Sequence, residues 1–278
     1  MGAFESEDLL AGSTTDFSHH FDPGEFRARE RLESEHFWHV HRRGLILDFV
    51  RRALPAGGRL IELGCGTGAV ATWLNRHGYH VDYGDVHAEG LAAARRRAER
   101  ELSPSADDPL RFVRLDVTAR FPSGNYDGAL YCDVLEHLDD PEPVLRLARE
   151  HLRSDALVLF TVPAFQLLWS PWDDVQHHRR RYTPDEARAL AERCGLRVER
   201  ATCFFGPLFF AAGAVKLARG ARDLLQGPAP PAAFDQLLET RSTPVVNRTL
   251  VRGLSLERRW LRRRDLPCGT SVICVCRV

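Results

Sequence analysis

From residue 58 onward, short apolar runs alternate with amphipathic stretches, and this alternation restricts the fold more than any single motif. "GRLIEL" (58–63), "YHVDYGD" (79–85), "LRFVRLDV" (110–117), "YDGALYCDV" (126–134) and "DALVLFTVP" (155–163) read as buried strands. Between them lie helical patterns: one from the glycines after 63 to about His77, "AEGLAAARRRAERE" (88–101) and "PEPVLRLAREHLR" (141–153). "TPDEARALAERCG" (183–195) adds a helix with a capping Thr, a proline at its first turn and a closing glycine. "LRVERATCF" (196–204) and "SVICVCRV" (271–278) supply two more strands. The expected fold is α/β: a doubly wound, seven-stranded, mostly parallel sheet with helices on both faces.

The flanks are read from composition. Residues 1–25 are polar and irregular and are expected to be a flexible tail; residues 26–54 carry apolar positions three and four apart and are expected to form a helical lid. The core then spans 55–204, with a second lid segment at 163–183, a helical insertion at 205–270 and a last core strand at 271–278. Within the insertion, "GPAPPAAF" (227–234) reads as a linker or turn. Lys+Arg and Asp+Glu both number 38, so no bulk attraction to nucleic acid is implied. The most apolar stretch, 203–218, is interrupted by Gly206, Pro207 and Lys216 and falls short of a membrane span. It reads as a buried helix, or else as a tunnel wall or lipid-touching patch. The start has no basic region followed by an apolar core. The seven cysteines are odd in number and lie in apolar contexts, which suits free thiols and a cytoplasmic setting. Lys216 is the only lysine, a bias expected of a GC-rich bacterial genome.

Residues 60–70, "LIELGCGTGAV", place Gly64, Gly66 and Gly68 between a strand and a helix. A phosphate loop would need Lys-Ser/Thr after its second glycine, and Ala69 and Val70 follow Gly68 instead. A dinucleotide loop needs a spacing one residue longer. The remaining ligand type has a cationic centre and a ribose. Glycine at these positions lets the backbone turn tightly and come close to such a ligand.

The run "E-L-G-C-G-T-G" resembles the first motif of class I S-adenosylmethionine-dependent methyltransferases, which have a Rossmann-like fold. Asp85, about 17 residues after Gly68, stands where that family holds both ribose hydroxyls. Asp116 stands where it reads the adenine amino group, with Val117 beside it. "YDGALYCDVLEHLDDP" (126–141) is similar to the ubiquinone- and menaquinone-type subgroup. The resemblance implies S-adenosyl-L-methionine as cofactor, held by Glu62, Gly64, Cys65, Gly66, Gly68, Asp85, Val86, Asp116, Val117, Cys132 and His137. Asp133, Glu136 and His137 also resemble an acid-x-x-acid-His pattern that binds a divalent metal in some quinone O-methyltransferases; the same letters occur in relatives without metal.

The acceptor side is sought in three places. Phe37 and Trp38 in "SEHFWHVHRR" (34–43) could cover the cofactor or simply pack a helix. His137 follows the fourth strand at the edge where doubly wound sheets bind ligands. "VPAFQLLWSPWDDVQHHRRRYT" (162–183) is dense in Trp, Asp, His, Arg and Tyr. There His178, Asp173 and Tyr182, together with His137, are the candidate acid–base or orienting residues. Trp169, Trp172 and Arg181 are the candidate substrate contacts, with Arg180 or Arg181 available to a carboxylate or phosphate. The basic "RRWLRRRDLPCGTS" (258–271) reads as a solvated face, with an anionic substrate group or acidic membrane as the alternative.

The expected function is methyl transfer to oxygen or nitrogen of a small molecule in bacterial specialised metabolism, antibiotic biosynthesis included. A quinone or lipid-linked acceptor remains open, as does a protein of this fold that catalyses a cyclisation or serves a regulatory role. The partners expected are a small methyl acceptor, no nucleic acid, no integral membrane segment, and an oligomeric state left open, with a homodimer one possibility.

Overall fold

The apolar runs of the sequence become strands wherever both of their faces find a helix to cover them. The computed structural model describes residues 3–10, 30, 32–214, 216 and 243–278. Parallel strands β2 (Arg59–Leu63), β3 (His80–Asp85), β4 (Leu110–Arg114), β5 (Gly128–Cys132) and β6 (Leu157–Pro163) form the centre of the sheet. The sheet order is β1-β4-β3-β2-β5-β6-β8-β7. Strand β8 (Ser271–Arg277) runs antiparallel between β6 and β7 (Arg197–Phe204).

The sheet has eight strands, one more than the sequence predicts. The extra strand β1 (Phe4–Asp8) lies within the segment read as an irregular tail and pairs in parallel with β4. Its residues, FESED, are mostly polar, and an edge strand held by backbone hydrogen bonds needs no apolar alternation.

Helices α1 (Phe37–Ala53), α2 (Ala69–Asn75) and α3 (Ala88–Glu101) contribute to one apolar layer against the sheet. Helices α4 (Glu142–His151) and α6 (Pro184–Arg193) contribute to the layer on the other face, and the short α5 (Pro171–Val175) lies between β6 and α6. Helix α6 begins with the expected capping box: Thr183 Oγ1 accepts from Glu186 N–H at 3.1 Å, and Glu186 accepts from Thr183 N–H at 2.7 Å. Within 205–270, residues 206–214 are helical and α7 (Pro244–Leu261) packs on α1. The turn expected at 227–234 lies outside the described residues. All seven cysteines are free thiols, and no described helix is long and apolar enough to cross a membrane.

Candidate active site

Strand β2 has β3 on one side and β5 on the other, because the chain winds outward through β3 and β4 and then returns across β2. That reversal opens a crevice beyond the carboxyl ends of β2 and β5, the place where open α/β sheets take ligands. The loop after β2 turns through Gly64, Gly66 and Gly68, with φ of 75°, 52° and 71°. The three glycines do different work. A Cβ on Gly64 would stand 2.4 Å from Val134 Cγ2, and one on Gly68 would stand 2.8 Å from Ala94 and from the Tyr83 ring. A Cβ on Gly66 would meet nothing within 4 Å. Gly64 and Gly68 therefore serve protein packing, and Gly66 alone borders open space, a narrower role than close approach of a ligand at all three.

Two buried acids fix this loop. Glu62, 2% exposed, accepts from the Ala71 amide at 2.7 Å in the first turn of α2. Burial raises its pKa to about 7, although Arg42 and the Ala71 amide pull the other way. Asp85 accepts from the Gly66 amide at 2.7 Å and from the His87 amide at 2.8 Å. Each of its oxygens keeps capacity for a further donor. Burial pushes the Asp85 carboxyl above the usual range. Val86 follows it, half-buried. Asp116 holds its own turn, accepting from the Thr118 amide at 2.8 Å and the Thr118 hydroxyl at 2.7 Å, with Val117 half-buried next to it. Cys65 and Cys132 are buried, 7% and 6% exposed, with thiols driven up by burial.

Helix α1 reaches the crevice through Arg42, which belongs to no motif of the sequence. Its guanidinium pairs with Asp133 at 2.7 Å, and Asp133 also accepts from Thr161 Oγ1 at 2.9 Å. Asp133 has φ of 58°, an uncommon conformation for a residue with a side chain. The signal available in sequence was helical spacing: Arg42 lies four residues beyond Trp38 and its guanidinium stacks over that ring at 5.2 Å. Of the two readings for Phe37, cover of the cofactor or helix packing, its place favours packing: it is 1% exposed in the core, its amide donating to Asn247 at 2.6 Å. Trp38 stacks on Phe205 with centroids 5.6 Å apart. Thr67, also missed, is buried and donates to Glu33, which accepts from Arg97 at 2.7 Å as well.

Segment 163–183 brings a second set of residues to the loop after β5. Glu136, His137 and His178 place ligand-capable atoms within 4.8 Å of one another, and the rings of His137 and His178 lie 4.9 Å apart. Glu136 is fully buried, and neither carboxylate oxygen has a hydrogen-bond partner. Burial and the neighbouring Asp133 push its pKa well up. The acid-x-x-acid-His set therefore splits, since Asp133 is taken by Arg42 and Thr161 and His178 stands in its place.

Asp173 is fully buried and accepts from His178 Nδ1 at 2.8 Å, from Arg181 Nε at 2.8 Å and Nη2 at 2.9 Å, and from the Ser170 amide at 2.8 Å. Burial alone would raise its pKa, but the bonds from His178 and Arg181 outweigh it and hold the carboxyl at about 2. So acidic a carboxylate takes up no proton at ordinary pH; it orients. Arg181 is occupied by Asp173 and by the Ala164 carbonyl at 3.2 Å, so it is not a free anion site. Arg180 is bound to the Leu138 and Asp139 carbonyls. Tyr182, 5% exposed, donates to the Leu135 carbonyl at 3.5 Å, and burial raises its pKa. Trp169 donates to Asp174 at 3.2 Å, and Trp172 is half-buried in α5.

A family profile described as a methyltransferase domain matches residues 37–201. The chain is 34% identical over 93 residues to the S-adenosyl-L-methionine-dependent Diels-Alderase iccD of Talaromyces variabilis, covering 34% of this chain and 32% of the relative. It is 29% identical over 118 residues to the ubiquinone biosynthesis O-methyltransferase of Chromobacterium violaceum, covering 42% of this chain and 50% of the relative. The chain thus spans between a third and a half of the length of these curated relatives. Phosphoethanolamine N-methyltransferase 2 of Haemonchus contortus, solved with S-adenosyl-L-methionine, shares the fold with a TM-score of 0.52 at 16% identity. That likeness covers 84% of this chain and 52% of the other.

Proposed function

The chain belongs to the class I S-adenosylmethionine-dependent methyltransferases, and from that membership we propose that it transfers a methyl group to an oxygen or nitrogen of a small acceptor. The acceptor would sit between the loop after β5 and segment 163–183. Bound S-adenosylmethionine supplies an electrophilic methyl carbon on a sulfonium. The crevice fits such a cofactor: Gly66 leaves room where a side chain would intrude, Asp85 has acceptor capacity for ribose hydroxyls, and the carboxylate form of buried Glu62 would be favoured by a nearby positive charge.

The observation that carries the chemistry is the Asp173–His178 pair beside His137. A carboxylate accepting from Nδ1 keeps the proton there and leaves Nε2 as a lone pair able to take the acceptor's proton. Such a base is needed by a hydroxyl or a protonated amine, and positioning of the two reactants supplies the rest of the acceleration. The ubiquinone-biosynthesis relatives support a hydroxylated aromatic acceptor; a bacterial specialised metabolite is the other class that the reading admits.

The unpartnered Glu136 favours a second reading of the same residues, in which Glu136, His137 and His178 hold a divalent cation that binds the acceptor oxygen. Incubation with methyl-labelled cofactor and hydroxylated aromatic acceptors tests the main reading through the labelled product. Loss of that product on chelation, restored by added metal, would select the second. Tight cofactor binding without labelled product from any acceptor would favour a cyclisation of the kind named for the Talaromyces relative.

A further inference from the structure

Helix α7 buries Leu254, Glu257 and Leu261 and turns its other side outward. On that outer side Val245, Leu256 and Trp260 are 68%, 64% and 51% exposed, and Val246 is 41% exposed. Positions 245, 248, 252, 256, 259 and 263 recur at intervals of three and four, and 260 lies four beyond 256, so all seven share one flank of the helix and its continuation. Arg248, Arg252, Arg259 and Arg263 are therefore interleaved with the exposed apolar side chains, and all four are exposed. Arg264 lies over the Trp260 ring at 5.4 Å.

Among the described residues, the charge on this flank has no acidic partner. Arg258 and Arg262 pair with Asp48, but Arg248, Arg252, Arg259, Arg263 and Arg264 form no ion pair with any described residue. Glu257 is the one acid between Thr243 and Arg264, and it is buried, accepting from His41 at 2.9 Å and from the Phe205 and Gly206 amides at 2.7 Å each. Those amides open helical segment 206–214, where Phe210 is 67% exposed. In a chain whose net charge is zero, this is a local concentration of positive charge.

We propose that this flank of α7 docks on an anionic lipid membrane surface. Exposed arginines alone would suit any polyanion, but a nucleic acid or an acidic peptide offers little to Val245, Leu256 and Trp260. A bilayer interface takes both kinds of side chain: phosphates receive the guanidinium groups, and the headgroup–acyl boundary receives aliphatic and indole side chains. Each basic residue near such a surface adds roughly fivefold in affinity. The contact is peripheral, since no described helix can span a membrane, and it does not depend on the acceptor or on methyl transfer.

Sedimentation of the full chain with phosphatidylglycerol-containing and with pure phosphatidylcholine vesicles tests this. Binding to the anionic vesicles only, weakened by salt, is expected. Replacing Arg252, Arg259 and Arg263 together by Gln should weaken it about a hundredfold. The double change Leu256→Ser with Trp260→Ser should weaken it at least tenfold, while cofactor affinity stays unchanged and the thermal midpoint moves by only a few degrees, since these side chains lie outside the core. The proposal is overturned if the wild type ignores anionic vesicles, or if the Ser variant binds them as the wild type does. It is equally overturned if heparin or RNA competes away all vesicle binding and holds the wild type and the Ser variant alike.

Discussion

Asp173 accepts from His178 Nδ1 at 2.8 Å while it also receives both Nε and Nη2 of Arg181, so one buried carboxylate sets the tautomer of the candidate base. Asp173→Asn removes the charge and offers an N–H where a lone pair is needed. Turnover should fall by about 10²-fold or more, with the acceptor KM changing far less. His178→Ala should fall at least as far. Equal turnover of the wild type and His178→Ala would eliminate His178 as the base.

The same carboxylate gives an acid signature. Because Asp173 is held at about 2, below its ordinary value, its contribution to stability is complete above the usual carboxylate range. It is lost as pH falls toward and through about 2. Thermal midpoints measured against pH should show Asp173→Asn losing most stability near neutrality and converging on the wild type in acid. Parallel curves would contradict this.

Glu62 makes the opposite prediction. Its pKa of about 7 means that the free protein carries it partly protonated at neutrality, a state whose stabilising effect disappears as pH rises through 7. A cationic cofactor prefers the ionised form, so affinity should be level above pH 7 and decline below it, by up to about tenfold per unit. Titration calorimetry across this range should show the decline in the wild type and a flat profile in Glu62→Gln. A flat wild-type profile would separate Glu62 from the cofactor.

Gly64 and Gly66 should separate stability from binding. Gly64→Ala drives a Cβ into Val134 at a positive φ and is expected to cost about 1–3 kcal/mol of stability in denaturant melts. Gly66→Ala has open space around it and should cost about 1 kcal/mol from its φ alone, yet weaken cofactor affinity much more. Should Gly66→Ala bind cofactor normally, its open side is not the cofactor's.

Arg42→Met leaves Asp133 without its ion-pair partner and takes a nearby cation away from buried Glu62 and Glu136. Breaking a half-buried pair this way is expected to cost about 1–3 kcal/mol. The double variant Arg42→Met with Asp133→Asn should recover part of that loss.

What could be read from the sequence was local. The strand–loop–helix unit around Gly64 to Gly68 is encoded within a few residues, and Asp85 follows at a distance fixed by one helix and one strand. Arg42–Asp133 and His41–Glu257 join residues of different elements that only the folded chain brings together, so no spacing announces these pairings. Tyr182 and Arg181 carry reactive groups by type, but burial and Asp173 decide what those groups can do. Strand β1 escaped because its pairing is made by backbone, to which side-chain patterns are blind.

The place of β8 between β6 and β7 has a consequence for the order of folding. Among the described residues, strand β7 has no sheet neighbour except β8, from which the whole of 205–270 separates it in the chain. Until that long loop closes, β6 presents an open edge and β7 has nothing to pair with. Closure over such a distance is slow relative to the local β–α units that build the crevice. The nascent molecule should therefore pass through a stage in which the glycine loop and its acids are already arranged while the far side of the sheet is still unzipped.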